Sequence, residues 1–534
     1  MGTSPPPSIL LRRGRIYTLD AERPAAEALA IADGRIAAVG TDEAVSPLAG
    51  PATEIVDLGG RTVLPGLTDA HLHLEHYALH LSRLDCETPT MQECLERVRQ
   101  RAQAAPPGGW ILGHGWNQNT WGSYGCAADL DAAAPNHPVY LTAKSLHAAW
   151  ANTASLRIAG IRSTTPNPPG GVIQRDAGGT PTGILLEAAV RLVSAVIPAP
   201  SLGQLAGLLR AAQEQLWRFG LTGVHDFDGQ RCHEALQILQ GDDGLGLRVV
   251  KHVQLEALEP ALALGLRTGM GDDWIRIGSV KVFADGALGP RTAAMLDPYE
   301  GEPENRGLLL RDRSDLFDTA CKAVEGGLAM AIHAIGDRAN RAALDAYEDL
   351  RRHEEERNLP RLRHRIEHMQ LLHPEDIARP GRLGIVASMQ PIHATSDRSM
   401  ADRYWGERVR HAYAWRSLMQ AGAVLAFGSD APVESPNPFL GLHAAVTRRG
   451  PDGNPGPDGW VPEERLSLAE ALTAFTHGPA YAAGLEAVLG RLAPGFLADL
   501  IVLGDDPFAC PPEALAALQP VGTMVDGLWR HRTF

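Results

Sequence analysis

Eight apolar, strand-like runs recur along the middle of the chain with helical stretches between them, and this alternation limits the fold more than any other feature. The runs end near His71, Asp226, Gln254, Asp285, His333, His368, Gln390 and Asp430. Between them lie Ala-, Leu- and Arg-rich segments such as SLGQLAGLLRAAQEQLWRF and ADRYWGERVRHAYAWRSLMQAG. Parallel neighbours need a crossover, which a helix normally supplies, so the pattern reads as repeated βαβ units. Eight units predict an α/β fold closed into a (β/α)8 TIM barrel over residues 63–488.

Two regions break the alternation. Residues 84–190 are rich in Trp, Gly, Pro and Asn, and are expected to form an insertion after the first barrel strand that covers the active site. The ends, residues 1–62 and 489–534, carry short apolar segments parted by Arg-Gly or Asp-Gly, as in ILLRRGRIYTLD, EALAIADGRIAAVG and VGTMVDGLWRHRTF. These are hairpin signals, and both ends are expected to meet in one composite β-sandwich.

Chemistry in a TIM barrel sits where the strands end. His71 and His73, in TDAHLHLEH, lie two apart on a strand and so share a face. With 20 His in 534 residues, roughly one His-x-His arises by chance, so the pair means little alone. Later strand ends add His333, His368 (with His364 upstream) and Asp430, and IRIGSVKVFADG places Lys281 inside an apolar run. Each has an ordinary structural reading: core histidines, Lys281 paired with Asp285, Asp430 as a helix N-cap ahead of Pro432. Their order at successive strand ends points instead to a divalent-metal centre, for which imidazole and carboxylate are suitable ligands. A buried lysine beside cations must be neutralised, paired or modified. As a carbamate it would carry a negative charge and two oxygens able to bridge two metals, and Asp430 would then take the proton of a bridging water.

Composition narrows the partners. A net charge of −14 argues against nucleic acid, which demands a basic surface. No run reaches the 18 or so apolar residues of a membrane span, and the six Cys show no CxxC pairing. The expectation is a cytoplasmic protein with a small-molecule substrate and no nucleic-acid or membrane partner, for which a homodimer is one open assembly and the oligomeric state is not fixed by the sequence.

The segments PGLTDAHLHL, KVFADGALGPRTA, IHAIGDRA, RIEHMQ, FGSDAPVESPNP and GRLAPGFLADLIVL resemble motifs of the amidohydrolase superfamily. GWILGHGWNQNTW and GGVIQRDAGGTPTGILLEAA resemble the insertion of its metal-dependent hydrolase branch containing N-substituted formamide deformylase (amidohydrolase family 3). The resemblance implies the barrel, the composite sandwich, and one or two divalent ions per subunit, with zinc the expected metal. It implies ligands at His71, His73, Lys281 (carboxylated), His333, His368 and Asp430, with Lys281 and Asp430 catalytic. In deaminases of the superfamily a Glu follows the fifth-strand His by three residues; here that position is Gly336, followed by Asp337. For substrate contacts the sequence offers Trp116, His147, Arg291 and Arg410, against packing or salt-bridge roles for each. The expected function is hydrolysis of an amide-type C–N bond by metal-activated hydroxide. A mononuclear metal-dependent deaminase is the alternative enzyme, and a non-catalytic regulatory protein with a retained metal site is the alternative outside enzymology.

Overall fold

The computed structural model describes residues 6–145 and 147–534. Its central sheet has eight parallel strands: β1 (Leu67–Leu72), β2 (Leu221–Asp226), β3 (Arg248–Gln254), β4 (Ile275–Phe283), β5 (Met330–Ala334), β6 (Arg365–His368), β7 (Val386–Met389) and β8 (Leu425–Phe427). They pair in sequence order, each with the next, and the ends come within a residue or a few of those expected. Backbone hydrogen bonds close the ring past the end of β8: the Asp430 amide donates to His71 O at 2.7 Å and the His73 amide to Ala431 O at 2.8 Å. The chain is thus an α/β TIM barrel. Strands covered on both faces bury every residue, as in β1, β2, β5 and β6. The helix after β5, Asp337–Glu356, packs an Ala339, Ala343, Leu344, Tyr347, Leu350 stripe inward at the helical period.

Both termini build two further sheets. One orders Arg35–Gly40, Ala28–Ala32, Ile9–Arg12 and Glu54–Asp57; the other orders Leu528–Arg532, Pro520–Val525, Leu500–Leu503, Thr62–Pro65, Arg15–Tyr17 and Ala25–Ala26. Leu11, Ile31, Val56 and Ile36 from the first share a core with Ile16, Val63, Leu500 and Met524 from the second. Two Asp-Gly signals do mark hairpins: Asp33–Gly34 and Asp526–Gly527 all have positive φ, as a type I′ turn requires. The Arg13–Gly14 signal does not. Ile9–Arg12 and Arg15–Tyr17 lie in different sheets, so the chain crosses the sandwich there instead of doubling back. The sandwich joins the barrel where the strands begin: Arg248, first residue of β3, pairs with buried Asp499 at 2.7 Å, and the Gly66 amide donates to Asp499 O at 2.9 Å. That leaves the C-terminal strand ends free for a site.

Ala78–Leu208 form a second compact unit with their own six-stranded sheet. It is wider than residues 84–190 because the helices Leu74–Ser82 and Leu202–Arg218 straddle its edges. Its core gathers Trp116, Trp150, Leu141, Ile184 and Leu130.

Candidate metal centre

The side chains at the barrel's C-terminal strand ends meet around Asp430. His71 Nε2 and His73 Nε2 each lie 3.6 Å from Asp430 Oδ1. On the other oxygen, His393 Nε2 lies 3.4 Å from Asp430 Oδ2. His368 completes a second group with His393 and Asp430, in which one nitrogen or oxygen of each lies within 4.8 Å of the others. The strand period explains the first pair, because β1 points residues 71 and 73 the same way. It does not explain His368. Glu367 precedes it and also faces the barrel interior, so alternation would send His368 outward. His368 has φ +73° and Asp430 φ +61°. Both sit in left-handed backbone, a strain that persists only where the surroundings impose it and that concentrates at functional sites.

Acceptors at Nδ1 orient His71, His73 and His368. His71 Nδ1 lies 2.6 Å from Glu367 Oε2, His73 Nδ1 3.0 Å from Asp228 Oδ1, and His368 Nδ1 2.9 Å from Gln390 Oε1. An acceptor at Nδ1 holds the proton there and leaves the Nε2 lone pair free, the usual support for a metal-bound histidine. Behind them Arg365 binds Glu367, His225, Ser388 and the Ala70 carbonyl from inside the barrel. Phe227 stacks on His71 and on His252, each at 4.0 Å between centroids.

His333 stands apart. Its ring is 4.5 Å from that of His368, but its Nε2 lies 2.9 Å from the Gly286 carbonyl, which leaves Nδ1 for any cation. Lys281 is 2% exposed, with Nζ 4.6 Å from the Phe227 ring centre and 5.0 Å from that of Phe283. It does not pair with Asp285, whose carboxylate accepts the Ala294, Ile335 and Gly336 amides.

Burial governs the electrostatics. It holds His71 down to about 4 and His333 down to about 3, with Lys281 adding to both. His368 is likewise held well below the usual imidazole range by burial and by His333. These imidazoles are neutral at pH 7 and able to ligate. Burial brings Lys281 down to about 8, against the pull of Glu367 and Asp430. It would raise Asp430, but the His393 hydrogen bond and the His71 and His368 rings leave that carboxyl well below its usual range. Burial also opposes charge on His393, yet Asp430 and Glu434 push it up to about 10, so the spot strongly favours positive charge.

The expected substrate contacts each have local partners of their own. Trp116, 1% exposed, donates its Nε1 proton to Leu141 O at 2.8 Å inside the second unit's own core, so it is a packing residue and not an open pocket wall. His147 is exposed and pairs with Glu187 at 2.9 Å. Arg291 pairs with Glu302 and lies over the Tyr404 ring, and Arg410 pairs with Glu407 at 2.9 Å, so both guanidinium groups already have structural partners. The sequence reading missed His393, Glu367, Asp228 and Gln390. Glu367 and Asp228 had a signal, as carboxylates beside strand-end histidines; His393, in a loop helix after β7, had none in strand periodicity.

The donors fit a divalent ion: imidazoles of His71, His73 and His368 with an acceptor at Nδ1, and the Asp430 carboxylate with Oδ1 3.6 Å from the first two. The Amidohydrolase family matches residues 54–528. Protein LONG AFTER FAR-RED 3 of Arabidopsis thaliana is 36% identical over 512 residues, covering 93% of this chain and 87% of that protein. N-substituted formamide deformylase of Arthrobacter pascens is 31% identical over 548 residues, 98% of each. A crystal structure of an uncharacterized metal-dependent hydrolase from Pyrococcus furiosus superposes with TM-score 0.78 at 30% identity, covering 93% of this chain and 99% of that one.

Proposed function

The chain belongs to the amidohydrolase family, and from that premise we propose that it hydrolyses an amide-type C–N bond of a small molecule in a metal-dependent reaction. The observation that carries the reading is the convergence of His71 and His73 on one oxygen of Asp430, with Glu367 and Asp228 holding the rings in place. Zinc is the metal we propose, in one or two ions per subunit. When bound, such an ion polarises the scissile carbonyl and makes water nucleophilic at neutral pH. His71 and His73 hold it. Asp430 accepts a proton from the attacking water and delivers it to the leaving nitrogen, which leaves poorly as an anion. Lys281 enters the proposal as its carbamate: burial already favours the neutral amine, whose nitrogen attacks the carbon of carbon dioxide and releases one proton to solvent, and the product's negative charge suits a cationic centre. His333, through Nδ1, and His368 are the remaining ligands of the proposal. The deformylase relative makes N-substituted formamides the first substrates to test.

One observation speaks against the deaminase alternative. A Cβ at Gly336 would stand 2.0 Å from the Ala294 carbonyl, so a Glu at that position has no room. The next carboxylate, Asp337, accepts the Leu296 amide at 2.8 Å. The regulatory alternative is disfavoured by a donor set that is complete and individually oriented. The experiment is turnover of zinc-loaded protein on a panel of N-substituted formamides, other amides and aminated heterocycles, before and after chelation. Chelator-sensitive formate or carboxylate release is expected. Ammonia release from the heterocycles alone, or no turnover with metal bound, would overturn the reading.

A further inference from the structure

Two phenylalanines stand at the C-terminal rim, and only one of them is buried. Phe227 is 1% exposed and stacks between the His71 and His252 rings at 4.0 Å from each. Phe283 is 45% exposed, although it ends a strand, β4, whose other residues are all buried or half-buried. Strand alternation puts residue 283 on the same face as Lys281, about 6–7 Å further along. Its ring centre lies 5.0 Å from Lys281 Nζ and 5.0 Å from the centre of the His333 ring. The β4–β5 register fixes the second contact, because Phe283 and His333 are paired across the two strands. The ring is thus packed on the candidate metal centre on one side and open on the other.

A single exposed apolar side chain is ordinary on a protein surface and means nothing alone. Phe283 differs by its place, against Lys281 and His333, where polar groups are otherwise concentrated. Small-molecule sites join a few placed polar groups to an apolar or aromatic wall. His71, His73 and Asp430 supply the polar groups here, while Trp116, the wall expected from the sequence, is spent on its own core. A ligand that covers the open side of Phe283 removes its apolar surface from water, which is favourable. We propose that Phe283 is the specificity-determining wall of the substrate site, selecting amides whose nitrogen carries an apolar, ring-sized group over those that carry a methyl. The proposal rests on the metal-dependent reading above. In the formamides named there the acyl side has no carbon, so the nitrogen substituent is the group that can cover the ring. Phe283 holds no metal and moves no proton; it acts by contact alone.

The test uses the zinc-loaded full chain and two metal-binding probes, N-hydroxy-N-methylformamide and N-cyclohexyl-N-hydroxyformamide. Both chelate through two oxygens and differ only in the nitrogen substituent. Calorimetry measures their affinities, so the result does not depend on turnover. Wild type is expected to bind the cyclohexyl probe about 10–100-fold more tightly than the methyl probe. Phe283→Ala should bring that ratio near one, and Phe283→Leu, which restores an apolar wall, should keep most of it. The ratio of kcat/KM for N-cyclohexylformamide over N-methylformamide should follow the same order, with the change in KM. Equal binding of the two probes by wild type, or a zinc-loaded Phe283→Ala that keeps the wild-type ratio, would overturn the inference. If Phe283→Ala does not fold, a crystal structure of wild type with the cyclohexyl probe decides: the substituent against the Phe283 ring supports the proposal, and the substituent elsewhere overturns it. Wild type that shows the probe preference but hydrolyses no amide overturns the functional reading and leaves this inference standing. Hydrolysis without the preference does the reverse, and a chain that binds no zinc overturns both.

Discussion

The barrel rim and the inserted unit bury opposite kinds of side chain. At the rim, His71, Lys281 and His368 are 1%, 2% and 5% exposed. In the unit of Ala78–Leu208 the largest buried side chains are Trp116 and Trp150, while His147 is open to solvent. Burying an aromatic ring is favourable in itself, so a buried tryptophan needs no further explanation. Burying imidazoles and an amine is costly unless something compensates them. At the rim the compensation is elaborate: a carboxylate or amide behind each of several rings and a buried Arg365–Glu367 pair below. Costly burial with such support marks chemistry; favourable burial marks stability. Trp116 looked like a pocket residue by type and turned out to be core by context.

The contrast can be broken most sharply at Asp430. Asp430→Asn keeps the shape and should lower kcat by about 10²–10⁴-fold, the usual worth of a general acid–base group, with little change in the melting temperature. Steady-state kinetics beside a thermal scan check this. A variant that keeps wild-type turnover would remove the chemical half of the comparison.

Trp116→Ala should cost the inserted unit about 3–5 kcal/mol, typical of truncating a buried aromatic. Urea unfolding followed by tryptophan fluorescence measures it, while metal content stays at the wild-type value. Wild-type stability together with a raised KM would move Trp116 back to the substrate and erase the contrast.

The smallest effect sharpens the argument. Glu367→Gln replaces the carboxylate behind His71 and should weaken metal binding about 10–100-fold, as loss of a partner behind a metal-bound histidine does. Competition with a chromogenic chelator reads it. Unchanged affinity would mean that Glu367 serves Arg365 and barrel packing alone.

The sequence by itself determined the barrel, because strand and helix periods differ and alternate eight times, and it determined the His71–His73 pair, because a strand repeats every two residues. It also marked the type I′ hairpins at Asp33–Gly34 and Asp526–Gly527, whose turns demand positive φ that glycine adopts freely. Tertiary structure decided what depends on long-range neighbours. It sent the Arg13–Gly14 turn across the sandwich, since the flanking strands found partners in different sheets. It turned His368 inward against strand alternation, through a backbone conformation the local sequence does not favour. It brought His393 to Asp430 across 37 residues, and Glu367 to His71 across 296. Local patterns fix which way a side chain leaves its own strand; only the closed ring of eight strands fixes which other side chains it meets there.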